Sequence, residues 1–327
     1  MAASLFGSTP ATEVDERGDE VVVETAAGYT VRAAAGVVAT NSPINDRIAI
    51  HTKQAPYRTY VIAGSLPHGA VTDALYWDTL DPYHYVRLQP DQEGGQDTLI
   101  VGGEDHKTGH ASDMEKRFAR LEAWAREHFP QLQAITDRWS GQVIEPVYYV
   151  PFVGRNHGNS RIFVTTGDSG EGLSNSVAAS ILLRDLILGQ ENSWADVFDP
   201  KRVTLRAAGE FAREIDVAAR LAENVTSGDI SSVDDLRPGQ GAIVRRGLGK
   251  VAAYRDESGD LHVRSAVCTH AGCIVHWNSL ERCWDCPCHG SHFAIDGTVL
   301  NGPAIRPLSQ VEERAPEQAS TEVEAAK

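Results

Sequence analysis

The chain has 327 residues, enough for two domains, and its 42% apolar content supplies sizeable cores. A formal net charge of −15, from 45 acidic against 30 basic residues, argues against nucleic acid or an anionic membrane as partner, because both require clustered Lys and Arg; a positively charged redox protein fits better. No run of eighteen apolar residues marks a membrane span, and residues 1–8 lack the basic start and long apolar run of a signal peptide, which points to the cytoplasm.

In chain order, residues 20–24 and 29–33 are strand-like runs joined by a turn at Ala26-Ala27-Gly28. Residues 36–40 form a short apolar run of the kind buried in a parallel sheet. Further strands are predicted at 59–63, 84–89, 98–102 and 161–165, and a helix at 113–129 puts Phe118, Leu121 and Trp124 on one face. A second helix runs over 177–188, capped by Ser174 or Asn175 and stopped by Gly189. Gly170 and Gly172 precede it, so a ligand can approach its unpaired N-terminal amides closely; taken alone, such a Gly-x-Gly is more often only a turn. His106 and His110 are four apart, a metal spacing on a helix, but Gly103 and Gly109 oppose a helix, and residues 104–110 read as a loop near a cofactor or substrate. His51, His68 and His84 are isolated and read as surface or hydrogen-bonded structural histidines.

After Asp199-Pro200, residues 205–221 read as an amphipathic connecting helix. From Gly228 the pattern becomes that of a small all-β domain, with strands at 242–245, 251–254 and 261–264 and a hairpin turn at 256–259. Residues 313–327 read as a disordered tail. The expected division is 1–200, a connector at 201–227, a domain at 228–312 and the tail.

All five cysteines fall between Cys268 and Cys288, within Cys268-Thr-His270-Ala-Gly-Cys273 and Cys286-Pro-Cys288-His289-Gly-Ser291. Two Cys-plus-His pairs in two loops are the ligand set of a [2Fe–2S] centre in which one iron takes two thiolates and the other two imidazoles. Neutral imidazoles donate less charge than thiolates, which raises the potential from about −400 mV to roughly −150 to +300 mV. Cys268 and His270, two apart in an extended loop, point the same way. A tetrahedral zinc site takes the same four atoms. Against zinc stand Cys273 and Cys288, one in each loop just outside the set, the Ser291 hydroxyl, and a third rigid turn at Gly302-Pro303-Ala304. Cys283 is left over; between a reactive thiol and a partly buried small residue beside Trp284, it reads as the latter.

Residues 228–312 resemble a Rieske domain of the cytochrome bc-complex type. The resemblance implies that Cys268, His270, Cys286 and His289 bind the cluster, that Cys273 and Cys288 are bridged, and that the histidine edges face solvent as the electron exit. Where respiratory members carry a tyrosine, this chain has Phe293, which removes a hydrogen bond to a cysteine ligand and implies a lower potential.

Residues 1–200 resemble the C-terminal half of FAD-dependent oxidoreductases of the D-amino-acid-oxidase superfamily. The segments that carry this are Val37-Val-Ala-Thr40-Asn41, Ile100-Val-Gly-Gly-Glu-Asp-His106, Trp139-Ser-Gly-Gln-Val-Ile-Glu145, Pro151-Phe-Val-Gly-Arg155 and Gly167-Asp-Ser-Gly170-Glu-Gly172-Leu173. By resemblance, Thr40, Asn41, Gly170, Gly172 and Leu173 lie against the flavin. The G-x-G-x-x-G fingerprint that opens such enzymes occurs nowhere in these residues. The dinucleotide-binding half is therefore expected to be absent, supplied by another polypeptide or lost by truncation, and FAD binding by this chain alone is expected to be weak.

The expected fold is thus a mixed α/β partial flavoenzyme domain followed by a small all-β Rieske domain. The expected function is electron transfer, the cluster accepting electrons from flavin-dependent oxidation of an amine-like small molecule and passing them to a redox partner protein. A stand-alone Rieske ferredoxin-like module with a non-catalytic front domain is the alternative. A Rieske oxygenase is disfavoured, because only a short tail follows the cluster loops. No catalytic base can be named.

Overall fold

The computed structural model describes residues 3–45, 50–146, 149–202 and 217–311. An antiparallel sheet of β1 (Ala11–Arg17), β2 (Glu20–Thr25) and β3 (Thr30–Ala33) opens the chain, with the expected turn closed by the Gly28 N–H on the Thr25 carbonyl at 2.9 Å. Next, β4 (Gly36–Val38) pairs in parallel with β11 (Ile162–Thr166), and β10 (Phe152–Arg155) lies on the far side of β11. β4 is shorter than expected and less buried. Its outer edge has no strand partner among the described residues, and Val37 is 45% exposed.

The largest sheet is antiparallel in the order β6-β7-β8-β5-β9, formed by β5 (Gln54–Pro67), β6 (Leu75–Trp77), β7 (His84–Gln89), β8 (Gln96–Lys107) and β9 (Ile135–Pro146). β5 and β8 run well past the lengths expected from their apolar runs, because their polar ends are paired and covered by other parts of the molecule. α1 (Met114–His128) closes one face: Met114, Phe118, Leu121 and Ala125 recur at helical spacing and meet Tyr60, Ile62, Leu66, Leu99 and Val101. Burying each such leucine contributes about 2 kcal/mol. Trp124 is only half buried and stacks between His84 and His128, 4.3 Å from each ring.

α2 (Gly172–Ile187) packs Ala179, Leu182 and Leu183 on Val153 and Phe163. It starts earlier than expected: Glu171 is the N-cap without a side-chain cap bond, so Ser174 and Asn175 lie inside the first turn. Gly189 does end it, with the Gly189 N–H on the Leu186 carbonyl and the Gln190 N–H on the Asp185 carbonyl, the paired bonds of a Schellman cap. α3 (Ala195–Phe198) follows. Most of the expected connecting helix lies outside the described residues, and its end is α4 (Val217–Ala222).

The C-terminal unit is all β, as expected. One sheet holds β12 (Gln240–Arg246), β13 (Gly249–Arg255) and β14 (Leu261–Ser265); the other holds β15 (His276–Asn278), β16 (Cys283–Asp285), β17 (His292–Phe293) and β18 (Val299–Asn301). Ile243, Tyr254, Val275, Trp284, Phe293 and Leu308 are among the side chains that fill the core between them. The expected tail at 313–327 lies outside the described residues. Among the described residues no helix is long and apolar enough to cross a membrane.

Candidate functional site

The two cysteine-bearing loops share one backbone turn. In the first, the Cys268 N–H bonds the Cys273 carbonyl at 2.8 Å and the Gly272 N–H returns to the Cys268 carbonyl at 3.0 Å; in the second, Cys286 to Ser291 and Gly290 to Cys286 repeat both bonds at 2.8 and 3.0 Å. Gly272 and Gly290 occupy the same place in each turn with φ of +82° and +76°. Two equivalent turns thus present a cysteine at the same position, and the tips meet. Cys273 and Cys288 are joined by a disulfide with Cα atoms 6.5 Å apart, and the His270 and His289 rings lie 4.9 Å apart.

Cys268 and Cys286 are free and almost fully buried. A hydrogen bond from Cys286 holds the Cys268 thiol low, aided by the His270 and Ala271 N–H groups and the Ser291 hydroxyl. The Cys286 thiol is pushed up by that partner and by burial, while the Cys288 and His289 N–H groups oppose the rise. Ser291 Oγ in turn accepts the Ala304 N–H at 3.0 Å, so the third turn orients its hydroxyl. Burial and the neighbouring His51 and His270 rings push His289 down to about 3, which keeps it neutral. Its Nδ1 is buried with no hydrogen-bond partner among the described residues. Two thiols surrounded by amide donors beside a neutral imidazole with a buried lone pair fit a cluster held by two cysteines and two histidines.

The tip does not face solvent, contrary to expectation. His289 is 7% exposed and His270 is half-buried, because both rings pack on His51, at 5.6 and 5.0 Å between ring centres. His51 is 2% exposed and bonds the Pro43 carbonyl through Nε2 at 3.0 Å. In the sequence it reads as an isolated histidine, since nothing near it in the chain signals the loop that covers it. Two glycines permit the close seating. A Cβ at Gly290 would fall 2.6 Å from the Pro56 Cβ, and one at Gly109 would fall 3.0 Å from the Pro287 backbone.

Arg58, also unforeseen, lies under this contact. It is 1% exposed and reaches from β5 into the C-terminal unit, bonding Glu281 and approaching Asp285 at 3.6 Å and His292 at 3.2 Å, while Ser140 Oγ lies at 3.1 Å. Gln142 on β9 donates to the Gly290 carbonyl at 3.0 Å and meets His292 Nε2 at 2.8 Å. The remaining free cysteine, Cys283, is fully buried with its thiol 3.3 Å from Asp285; burial and that carboxylate push it up.

The expected flavin contacts gather at one end of the smaller sheet. Thr40 and Asn41 follow β4 and Gly170, Gly172 and Leu173 follow β11, so both segments leave the carboxyl ends of adjacent parallel strands, the usual ligand position in such sheets. The Thr166 hydroxyl donates to the Asn41 carbonyl and ties the segments together. Asn41 and Gly170 adopt φ of +58° and +79°, and Leu173 is 87% exposed.

Residues 104–107 belong to β8 rather than to a loop. His106 bonds Tyr60 at 2.8 Å, and His110 lies 3.3 Å from the Pro287 carbonyl, so the two do not converge on a metal. His68 and His84 pair with Asp97 and Asp78. The irregularity in β8 opposite Arg58 and Tyr60 includes Asp105. Its Oδ1 is buried with no hydrogen-bond partner among the described residues. Burial pushes its carboxyl up to about 6 although Thr59 hydrogen-bonds it. Thr59 also meets the Tyr85 hydroxyl at 3.2 Å, and the Tyr83 ring lies 6.0 Å from that of Tyr85.

A family model described as FAD dependent oxidoreductase matches residues 2–186, and one described as Rieske [2Fe-2S] domain matches residues 227–312. The putative Rieske 2Fe-2S iron-sulfur protein YhfW of Bacillus subtilis (strain 168) is 30% identical over 314 residues, covering 94% of this chain and 60% of that protein. The cytochrome b6-f complex iron-sulfur subunit of Chlorobaculum tepidum is 38% identical over 88 residues, 25% of this chain and 49% of that one. Among solved structures, glycine oxidase from Geobacillus kaustophilus is 16% identical with a TM-score of 0.48, over 62% of this chain and 54% of that one. The chain spans 60% or less of the length of these two curated relatives. It belongs to the FAD dependent oxidoreductase family and carries a C-terminal Rieske [2Fe-2S] domain.

Proposed function

We propose that this chain is the electron-transferring part of a flavin-dependent oxidoreductase, in which electrons taken from an amine-like small molecule pass to a Rieske cluster and then to a redox partner protein. Cys268, His270, Cys286 and His289 are the ligands in this reading, and Thr40, Asn41, Gly170, Gly172 and Leu173 contact the flavin. The observation that carries it is the packing of both histidine rings on His51, whose Pro43 partner lies two residues beyond the Asn41 turn. When bound, the flavin supplies two-electron oxidation and the cluster accepts electrons singly. The chain's own residues orient the imidazoles, supply N–H groups to the thiolates and keep water from the contact.

The dinucleotide-binding unit, in the same proposal, lies on polypeptide outside these 327 residues. The outer edge of β4, which has no strand partner among the described residues, and the exposed Leu173, Val177 and Ile181, at 87%, 62% and 37% along one side of α2, support this. An apolar face and a strand edge left open together are the surface that a continuing sheet and its helix would cover. The functional division is 1–200 for the flavin side, 201–227 as connector, 228–312 for the cluster and 313–327 as a tail.

The test is to quantify iron, sulfide, zinc and flavin on one purified sample, record its reduced EPR spectrum, and repeat after adding the N-terminal portion of a full-length relative. Two irons per chain, a Rieske-type signal and little flavin are expected at first, then stoichiometric flavin and amine-dependent bleaching of the cluster. Zinc in place of iron overturns the cluster. Stoichiometric flavin in this chain alone overturns the divided flavin site. Full flavin without bleaching by any amine leaves the stand-alone electron-transfer module as the better reading.

A further inference from the structure

We propose that Arg58 and His51 are positioning residues for electron transfer between flavin and cluster: Arg58 pins the cluster domain in one pose, and His51 seats both cluster histidines against the turn at Asn41–Pro43, so that electrons enter through this contact without a swing of the domain. This rests on the flavin-to-cluster reading above. Each transfer removes one electron from the reduced flavin and converts one of two ferric ions to ferrous; a one-electron acceptor protein reoxidises the cluster between transfers.

The pin follows from burial and charge. Arg58 is 1% exposed, as is the Asp285 carboxylate it approaches, and Glu281 takes a direct bond from the same guanidinium. A domain that shifted while still in contact would leave a buried charge without its partner, which is strongly unfavourable. The planar guanidinium also restricts direction, since its donors are fixed in a fork. Gln142 adds two further bonds across the same boundary, to Gly290 and His292. The glycine approaches at Gly109 and Gly290 leave no slack for sliding.

The entry follows from position. Ser42, His51, Gln54, Pro56 and Ile144 meet His289 in a contact with no room for a water molecule. The Thr166 hydroxyl reaches both the Asn41 carbonyl and Gln54 Oε1, which ties this contact to the carboxyl end of β11. Tunnelling falls exponentially with separation, so a dry contact held at one distance favours transfer at this edge. The same contact buries the His289 edge, at 7% exposed, while His270 is half-buried.

The experiment uses the full chain with its cluster loaded and a nitroxide on Ala119→Cys, at an exposed position of α1, with dipolar EPR measuring the distance from label to reduced cluster. A single narrow distribution is expected, and Arg58→Met should at least double its width. If Arg58→Met does not fold, Gln142→Ala removes the two bonds that cross the boundary but no charge and should broaden the distribution as well. For His51→Leu the width should stay narrow while the cluster's EPR g values or midpoint potential shift. After addition of the N-terminal portion of a relative, flavin-to-cluster transfer in that variant should slow at least tenfold. A broad distribution in the parent chain overturns the pin, and unchanged cluster spectrum, potential and transfer rate in His51→Leu overturn the entry. Failure of the reconstituted parent to reduce its cluster with any amine would instead count against the functional reading, because the distance measurement needs no flavin.

Discussion

Asp105→Asn tests the electrostatics of the flavoenzyme-side sheet most directly. Asp105 carries a buried oxygen without a hydrogen-bond partner among the described residues, and desolvation raises its carboxyl to about 6. An unfolded chain holds an aspartic acid near its ordinary value of about 3.9. The folded state therefore binds this proton more tightly. The resulting stability is fully present below about pH 4, falls as pH rises from about 4 to 6, and is flat above. A rise of that size, at about 1.4 kcal/mol for each tenfold change in proton affinity, amounts to about 3 kcal/mol as an upper figure. Asparagine keeps the shape and has no charge to desolvate. Asp105→Asn should match the parent at pH 4 and exceed it by up to about 3 kcal/mol at pH 7 to 8. The assay is denaturant unfolding at half-unit pH intervals, following the transition that includes the large sheet, with carboxyl-carbon NMR reporting the Asp105 titration itself. A stability difference that does not change with pH, or an Asp105 titration near 4, would show that burial does not raise this carboxyl in the folded protein.

Three further outcomes are expected. Ser291→Ala should lower the cluster's midpoint potential, because Ser291 donates to the Cys268 sulfur and one such bond, at about 1–2 kcal/mol, corresponds to about 40–90 mV for one electron; protein-film voltammetry reads this directly. Replacing Cys273 and Cys288 by serine opens a link spanning 15 residues and should cost about 3 kcal/mol by chain entropy, read as a lower unfolding midpoint. Cys283, buried and pushed up by burial and Asp285, should resist alkylation in the native protein at pH 8 and react only after unfolding, as mass spectrometry of the labelled peptide would report.

Local chemistry is the legible part of this chain. The 84–89 strand is readable to its ends and so is the Gly189 stop, since alternation and a helix-ending glycine are short-range signals. Elements whose polar ends are covered from elsewhere are longer than their apolar runs suggest: the pattern predicts a strand at 59–63 where β5 runs Gln54–Pro67, and it predicts none where β9 lies. The equivalence of the two cysteine loops is present in the sequence as Cys268 to Gly272 and Cys286 to Gly290, with the same spacing, and is the signal from which their shared turn can be inferred.

Two Cys-plus-His pairs in two loops make a [2Fe–2S] centre legible in the chain, with zinc as the competing reading of the same four atoms, and the order of the two domains is legible from their motifs. Which way His270 and His289 face is set by the folded contact. Arg58, Gln142 and His51 lie far along the chain from His270 and His289, and their meeting depends on strand register and domain seating, which no local pattern encodes. An arginine in a strand reads as a solvated charge until the carboxylates that bury it, Glu281 and Asp285, arrive from more than two hundred residues away.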